Sequence, residues 1–234
     1  MQGRQRRLKG PERKAQVVQV TLDVIAERGV QGTTLERIAG AAGVTRAALY
    51  AHFASKREIM VAALDVLFEK IRTVHNSANN PNALERIREI GVQHSRLLGS
   101  QREGFVFPLF EFMAAPPEEG LREELRTRHL DRMREVAEIV REGQAQGTIA
   151  PDVDPYQVAW LMASRAWTED VATLIGATGP DEWTEARSNQ LLDLILTSIA
   201  TGDKRRVPGN EVRQGASDIA AGSGVPPREP GPAS

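Results

Sequence analysis

"LERIAGAAGVTRAALYAHF", Leu35 to Phe53, is the stretch that decides the fold. It reads as two short helices joined by a tight turn, which must cross steeply and nearly touch. That geometry needs a small residue on the first helix at the crossing, and Ala39 supplies it. It needs a residue tolerant of positive φ in the turn, and Gly43 supplies that. It also needs apolar anchors from both helices, and Leu35, Ile38, Val44, Leu49 and Phe53 have the spacing. These are the requirements of a helix-turn-helix, with Thr45 as cap of the second helix. On this pattern alone, an αα-corner inside a helical bundle satisfies the same requirements.

The second helix is small-sided for its length. Ala47, Ala48 and Ala51 would let it approach a surface closely, and an outward alanine methyl can meet a thymine methyl in a major groove. Arg46 is the one long donor near its start, suited to guanine O6 and N7. Tyr50 and His52 end the segment and can donate to phosphate oxygens; Lys56 adds charge at the start of the next helix.

Charge separates this end from the rest. Residues 1–57 carry 11 Lys and Arg against 4 Asp and Glu, a net +7, so that the remaining chain is −8 within an overall −1. A basic first quarter on an acidic body fits a polyanionic partner for one end only. There are no cysteines, which removes disulfides, thiolate nucleophiles and cysteine metal sites together. No apolar run approaches the length of a membrane span, and the basic "MQGRQRRLKG" is not followed by a signal-type apolar segment. The expectation is a cytoplasmic protein without a membrane partner.

Outward from the motif, almost nothing reads as strand and helical spacings recur, so the expected class is all-α. Pro11 and Glu12 can open a first helix, with Val17, Val20 or Thr21, Val24 and Ile25 on one face and a stop at Gly29. Thr33 or Thr34 can cap the next helix and Ser55 a fourth, whose Ile59, Ala63, Val66 or Leu67 and Ile71 keep helical spacing. "HNSANNPN", His75 to Asn82, reads as a breaker and a domain joint. Five further helices are expected over roughly 82–99, 103–114, 117–146, 155–177 and 181–201, with Asp154-Pro155 and Pro180-Asp181 as starts. The division that follows is a basic flexible arm 1–12, a helix-turn-helix domain 13–56, a connecting helix 57–75, a second domain 81–201 and a disordered tail 202–234 rich in Gly and Pro.

At residues 13–71 the sequence resembles the TetR family of bacterial transcriptional regulators. The resemblance is carried by "AERG" and by "TTLERIAGAAGVTRAALYAHFASKREIM", which unite the turn glycine, the Leu-Tyr-x-His-Phe end and Ser-Lys at family spacing. It implies an all-α homodimer with an N-terminal three-helix DNA-binding domain and a C-terminal helical domain that binds a small ligand and dimerises through the last two helices. It places Thr45, Arg46, Ala47 and Leu49-Tyr50 on the recognition helix, matches Tyr50, His52 and Lys56 to phosphate contacts, and makes Thr34 the cap of the supporting helix. The chain departs at Ala47, where the family often has Gly, and at Ile25, where it often has an aromatic. The arm Arg4–Lys14 is longer and more basic than the motif needs; it is either an extra phosphate or minor-groove contact or a free tail.

In the second domain the reading rests on pattern. Trp160, Leu161, Trp167, Val171 and Leu174 mark one long apolar helix, and Leu191, Leu192, Leu194, Ile195 and Ile199 another; together they suit a four-helix interface with a second copy or packing within one chain. "EGFVFPLFEFMAAP" places four of the six phenylalanines within Phe105–Phe112, and Pro108 should kink or interrupt that helix. An apolar cavity is expected there, with Phe105, Phe107, Phe110, Met113, Trp160 and Trp167 as lining and His94, Arg96, Glu111 and His129 as its polar groups. Enzyme signals are missing: the four histidines lack zinc spacing, and no nucleophile elbow, phosphate loop or cofactor motif is present. The expected function is therefore a homodimeric repressor that binds a palindromic double-stranded DNA operator and is released by a small, largely apolar effector. A ligand-independent DNA-binding protein that recruits a protein partner, and more remotely an all-α enzyme, are the rival readings.

Overall fold

A computed structural model describes residues 10–101, 103–179 and 181–202. Among them, α1 (Gly10–Gly32), α2 (Leu35–Ala42), α3 (Arg46–Tyr50) and α4 (Lys56–Ser77) form the N-terminal head and its connecting helix. Helices α5 (Ala83–Gln101), α6 (Glu103–Ala114), α7 (Leu121–Ala145), α8 (Pro155–Leu174) and α9 (Glu185–Ile199) form the second half. Among the described residues the one β contact is an isolated bridge, Ile149 to Ala200, which ties the α7–α8 connection to the end of α9. None of the described helices is long and apolar enough to cross a membrane.

The helix starts are written in local chemistry. Thr34 Oγ1 accepts from the Arg37 N–H at 3.3 Å, Thr45 Oγ1 from Ala48 N–H at 3.2 Å, and Ser55 Oγ from Glu58 N–H at 3.1 Å. Asp154 and Thr184 cap α8 and α9 in the same way. Each such cap is worth about 1 kcal/mol. Gly43 ends α2 at φ 65°, and the next amide, Val44, donates to Ala39 at 2.9 Å, which closes the turn that α3 starts from.

Several boundaries differ from the sequence expectation. Helix α1 begins at Gly10, so the last residues of the basic arm, with Arg13 and Lys14 after them, lie on its first turns. It breaks at Gly29, φ 71°, as expected, but a further turn continues to Gly32. His75, Asn76 and Ser77 belong to α4 and not to the joint, which is therefore shorter than "HNSANNPN". The single helix expected over 117–146 is divided at Gly120, φ 66°, into a 3-10 turn Pro117–Glu119 and α7. Helix α8 stops at Leu174, and α9 starts at Glu185 because Thr184, and not Asp181, provides the cap. Pro108 lies inside α6, which continues through it uninterrupted. The arm residues 1–9 and the tail from 203 onward lie outside the described residues.

Two large apolar clusters hold the described chain, with a small third one of Met133, Val136 and Ala159 between α7 and α8. The first joins Val17, Leu22, Ile25, Ile38, Leu49 and Phe53 of the head to Ile59, Leu64 and Leu67 of α4 and to Phe105, Leu109 and Phe112 of α6. Burial of a phenylalanine as complete as that of Phe112 contributes about 1.5–3 kcal/mol. The second joins Ile87, Val140, Val158, Leu192, Ile195 and Ile199 from α5, α7, α8 and α9. Beside it the Arg165–Glu169 ion pair, 3.1 Å apart and about 1% exposed, is hydrogen-bonded to Ser95, Ser188 and the Gly91 carbonyl, which pins α5, α8 and α9 together, while Arg165 Nε and Glu169 Oε2 have no partner among the described residues.

Candidate nucleic-acid interface and effector cavity

The head presents one polar face built by α2 and α3. Leu49 and Phe53 are buried, and their burial turns Thr45, Arg46, Ala47 and Tyr50 outward. Tyr50 is 49% exposed, a large aromatic held at the surface with its hydroxyl free to reach a phosphate. His52 is half-buried behind it. Arg46 does not extend freely: Nη1 lies 2.7 Å from Glu36 Oε1 on α2. The Glu36 carboxyl sits below the usual carboxylate range, chiefly through its own backbone amide, then through Thr34, with Arg46 adding to it. Both side chains are more than half exposed, so solvent screens the pair and Arg46 can exchange Glu36 for a base edge at little cost.

Lys56 is positioned differently from the rest. Its Nζ is 3.3 Å from Glu119 Oε1, in the 3-10 turn before α7, and the neighbouring Arg57 is 2.7 Å from Glu124 on α7. Glu124 also binds Arg128, and these two arginines hold its carboxyl below the usual range. The first turn of α4 is thereby tied to the second half of the molecule. Lys14 lies over the Phe53 ring at 5.3 Å, and Gln16 Nε2 donates to the Ala42 carbonyl at 3.5 Å. The basic start of α1 is therefore carried beside the helix-turn-helix.

The second half contains a cavity of about 530 Å³ between α4, α5, α6, α7 and α8. Of the residues expected there, His94, Phe105, Met113, His129, Trp160 and Trp167 line it. Phe107 and Phe110 do not. Phe105, Leu109 and Met113 repeat at i, i+4, i+8 on the face that α6 turns to the cavity, which leaves Phe107 38% exposed on another face and packs Phe110 against the head cluster. Arg96 is exposed on α5, 4.0 Å from Glu185. Glu111 instead caps the break in α1: Oε2 accepts from the Val30 N–H at 3.0 Å, just beyond Gly29.

His129 is enclosed by two indoles, stacked on Trp167 at 5.1 Å and tilted against Trp160 at 5.3 Å. Burial lowers its pKa, which favours the neutral imidazole. The polar lining that sequence reasoning missed is mostly basic: His75 from α4, and Arg122, Arg126 and Arg132 from α7. Arg122, Arg126, Trp160 and Trp167 are exposed and mark the open side; Arg132 is 10% exposed and His94 8% exposed, which places them inward. Among the described residues no group of three or more His, Cys, Asp or Glu could hold a metal ion.

The family model for bacterial regulatory proteins of the tetR family matches residues 17–63, the segment that holds the whole polar face of the head. The HTH-type transcriptional repressor KstR2 of Mycolicibacterium smegmatis is 26% identical over 209 residues, covering 82% of this chain and 94% of its own. A crystal structure of a TetR-family transcriptional regulator from Rhodococcus sp. aligns with a TM-score of 0.67 at 22% identity, over 80% of this chain and 99% of that one. The regulator FadR of Bacillus subtilis, crystallised with stearoyl-CoA, aligns with a TM-score of 0.66 at 20% identity, over 79% and 98%. Residues 17–63 thus match the tetR family of bacterial regulatory proteins, and the chain as a whole is similar to regulators of that family.

Proposed function

We propose that this DNA-binding regulator acts in the cytoplasm as a homodimeric repressor of a two-fold operator and that a largely apolar molecule in the cavity releases it. The observation that carries the reading is helix α4. Its first residue, Lys56, stands beside the recognition helix, and its Phe68, Ile71 and His75 stand in the cavity wall. At 22 residues it spans about 33 Å as one rigid element, so a ligand that displaces its far end tilts the head. Thr45, Arg46, Ala47 and Tyr50 are the groups proposed for the groove and its phosphates, with Thr34 at the start of α2, His52 and Lys56 flanking them.

For the dimer, support comes from the apolar groups that α8 and α9 leave at the surface: Leu161, Val171, Ile175 at 69% and Leu194 at 64% exposed. A second copy of the same helix pair would cover them and set the two recognition helices about one DNA turn (~34 Å) apart. For the effector, support comes from the mainly apolar cavity; the stearoyl chain bound by the Bacillus subtilis neighbour is a ligand of that protein, and for this chain it suggests an apolar body as the kind of molecule that fits. The ligand releases DNA only to the extent that it binds the wrong head spacing better.

The test uses the absence of native cysteine. A single spin label on Asp23→Cys, exposed on α1, reports the distance between the two heads. The reading expects one defined distance in free protein, which shifts when the cavity is filled. No pair distance, together with a monomer mass by light scattering, would sink the dimer. An unchanged distance and unchanged operator affinity with a saturated cavity would sink the release mechanism for that ligand.

A further inference from the structure

An apolar effector leaves part of the cavity unexplained. His75 Nδ1 and Arg132 Nη2 are buried atoms on its wall, and neither has a hydrogen-bond partner among the described residues. The other Arg132 amine pairs with Glu135, so one edge of the guanidinium is used and Nη2 is left without an acceptor among the described residues. The Arg132 side chain is only 10% exposed, and a guanidinium so enclosed stays charged. Arg72 lies close enough to add to the repulsion it feels, and His94 completes the wall. Among the charged lining residues, Arg122, Arg126, Arg132 and Arg165 face a single aspartate, Asp170, and Arg165 is already engaged by Glu169. A buried guanidinium left half-satisfied beside an unpaired imidazole is costly unless an anion comes to it.

We propose that His75 and Arg132 form a carboxylate-binding subsite, so that the effector is an amphiphilic acid whose apolar body lies against Phe105, Leu109 and Met113. The carboxylate accepts from Arg132 Nη2 and from an Nδ1–H of His75, and the bonds join α4 to α7. This rests on the reading of the cavity as the effector site, and it names what that site selects. In the free protein burial, aided by Arg132 and His94, holds His75 neutral, with a pKa of about 3. An anion between the two residues reverses that balance.

Trp160 and Trp167 line the cavity, so their fluorescence reads occupancy directly. The full chain is titrated with dodecanoate and with methyl dodecanoate, which share an apolar body and differ in charge. Dodecanoate is expected to bind roughly ten- to a hundredfold more tightly, the range of a charge-assisted hydrogen bond. Arg132→Met should erase that preference; His75→Leu should reduce it, and serves if the arginine variant does not fold, as judged by circular dichroism and thermal melting. Equal binding of acid and ester to the unaltered protein would overturn the subsite while leaving the cavity as a ligand site. Failure of both probes to bind would overturn the effector-site reading and the subsite with it.

Discussion

Lys56 has two possible partners, and the structure shows only one of them. Its Nζ is 3.3 Å from Glu119, with both side chains a little over a quarter exposed. If Lys56 leaves Glu119 for a phosphate when DNA binds, Lys56→Ala removes one phosphate contact per subunit and two per dimer. The slope of log K against log salt falls by about 0.9 for each contact, hence by about 1.8. Over a salt range from about 50 to 200 mM, the unaltered protein then loses about twelvefold more affinity than the variant. Glu119→Gln should act in the opposite direction. A partly exposed pair is worth about 1 kcal/mol, so release of two lysines tightens DNA binding by up to roughly thirtyfold. Fluorescence anisotropy of a labelled duplex across this salt range measures both variants. An unchanged slope for Lys56→Ala, or weaker binding by Glu119→Gln at every salt concentration, would refute the exchange; the second result would mean that Glu119 holds Lys56 in place for DNA.

Three other outcomes are expected. Arg46→Ala should relax base preference at one position per half-site and cost about 1–3 kcal/mol there, measured against a panel of single-base operator variants. Its effect must differ from that of Lys56→Ala, and equal loss on all sequences would remove Arg46 from base reading. Gly29→Ala should lower the melting temperature, because Gly29 has φ 71° and a Cβ would lie 2.5 Å from Glu111 Oε2; a cost of at least about 1 kcal/mol is expected, and an unchanged melt would contradict the cap. His75 makes stability depend on pH. Its folded pKa is lowered to about 3 from 6.5, so as pH falls below about 6.5 the unfolded chain takes up a proton that the folded chain refuses. Stability should fall by about 2 kcal/mol between pH 7.5 and about pH 5, and His75→Leu should remove that part of the decline in urea titrations.

The head was legible because its determinants are local. Thr34, Gly43, Thr45 and Ser55 act within three or four residues of themselves, and hydrogen bonds at those spacings are what the structure contains. The family resemblance fell on the same residues. The cavity was half legible. Phe105 and Met113 lie one face apart from Phe107 and Phe110, but composition alone could not say which face of α6 meets the cavity and which meets the head; an i, i+4, i+8 count from Phe105 through Leu109 would have separated them. Arg122, Arg126 and Arg132 were missed because α7 is so rich in charge that its basic residues read as a solvated face. His75 was missed because "HNSANNPN" looked like a breaker, although the helix runs through its first three residues. Glu111 and Glu119 could not be placed from sequence at all, since their partners, Val30 and Lys56, are 81 and 63 residues away.

A selection of genomic fragments by the purified chain at near-physiological salt, with sequencing of what is retained, tests the central claim most directly. The account predicts a recurrent palindrome whose half-sites lie about one helical turn (~34 Å) apart or overlap, since two copies of the face around Arg46 and Tyr50 must read it together. Retention of random fragments that vanishes as salt rises would contradict it: the +7 end would then be acting as a bulk cation, and the helix-turn-helix would read no sequence.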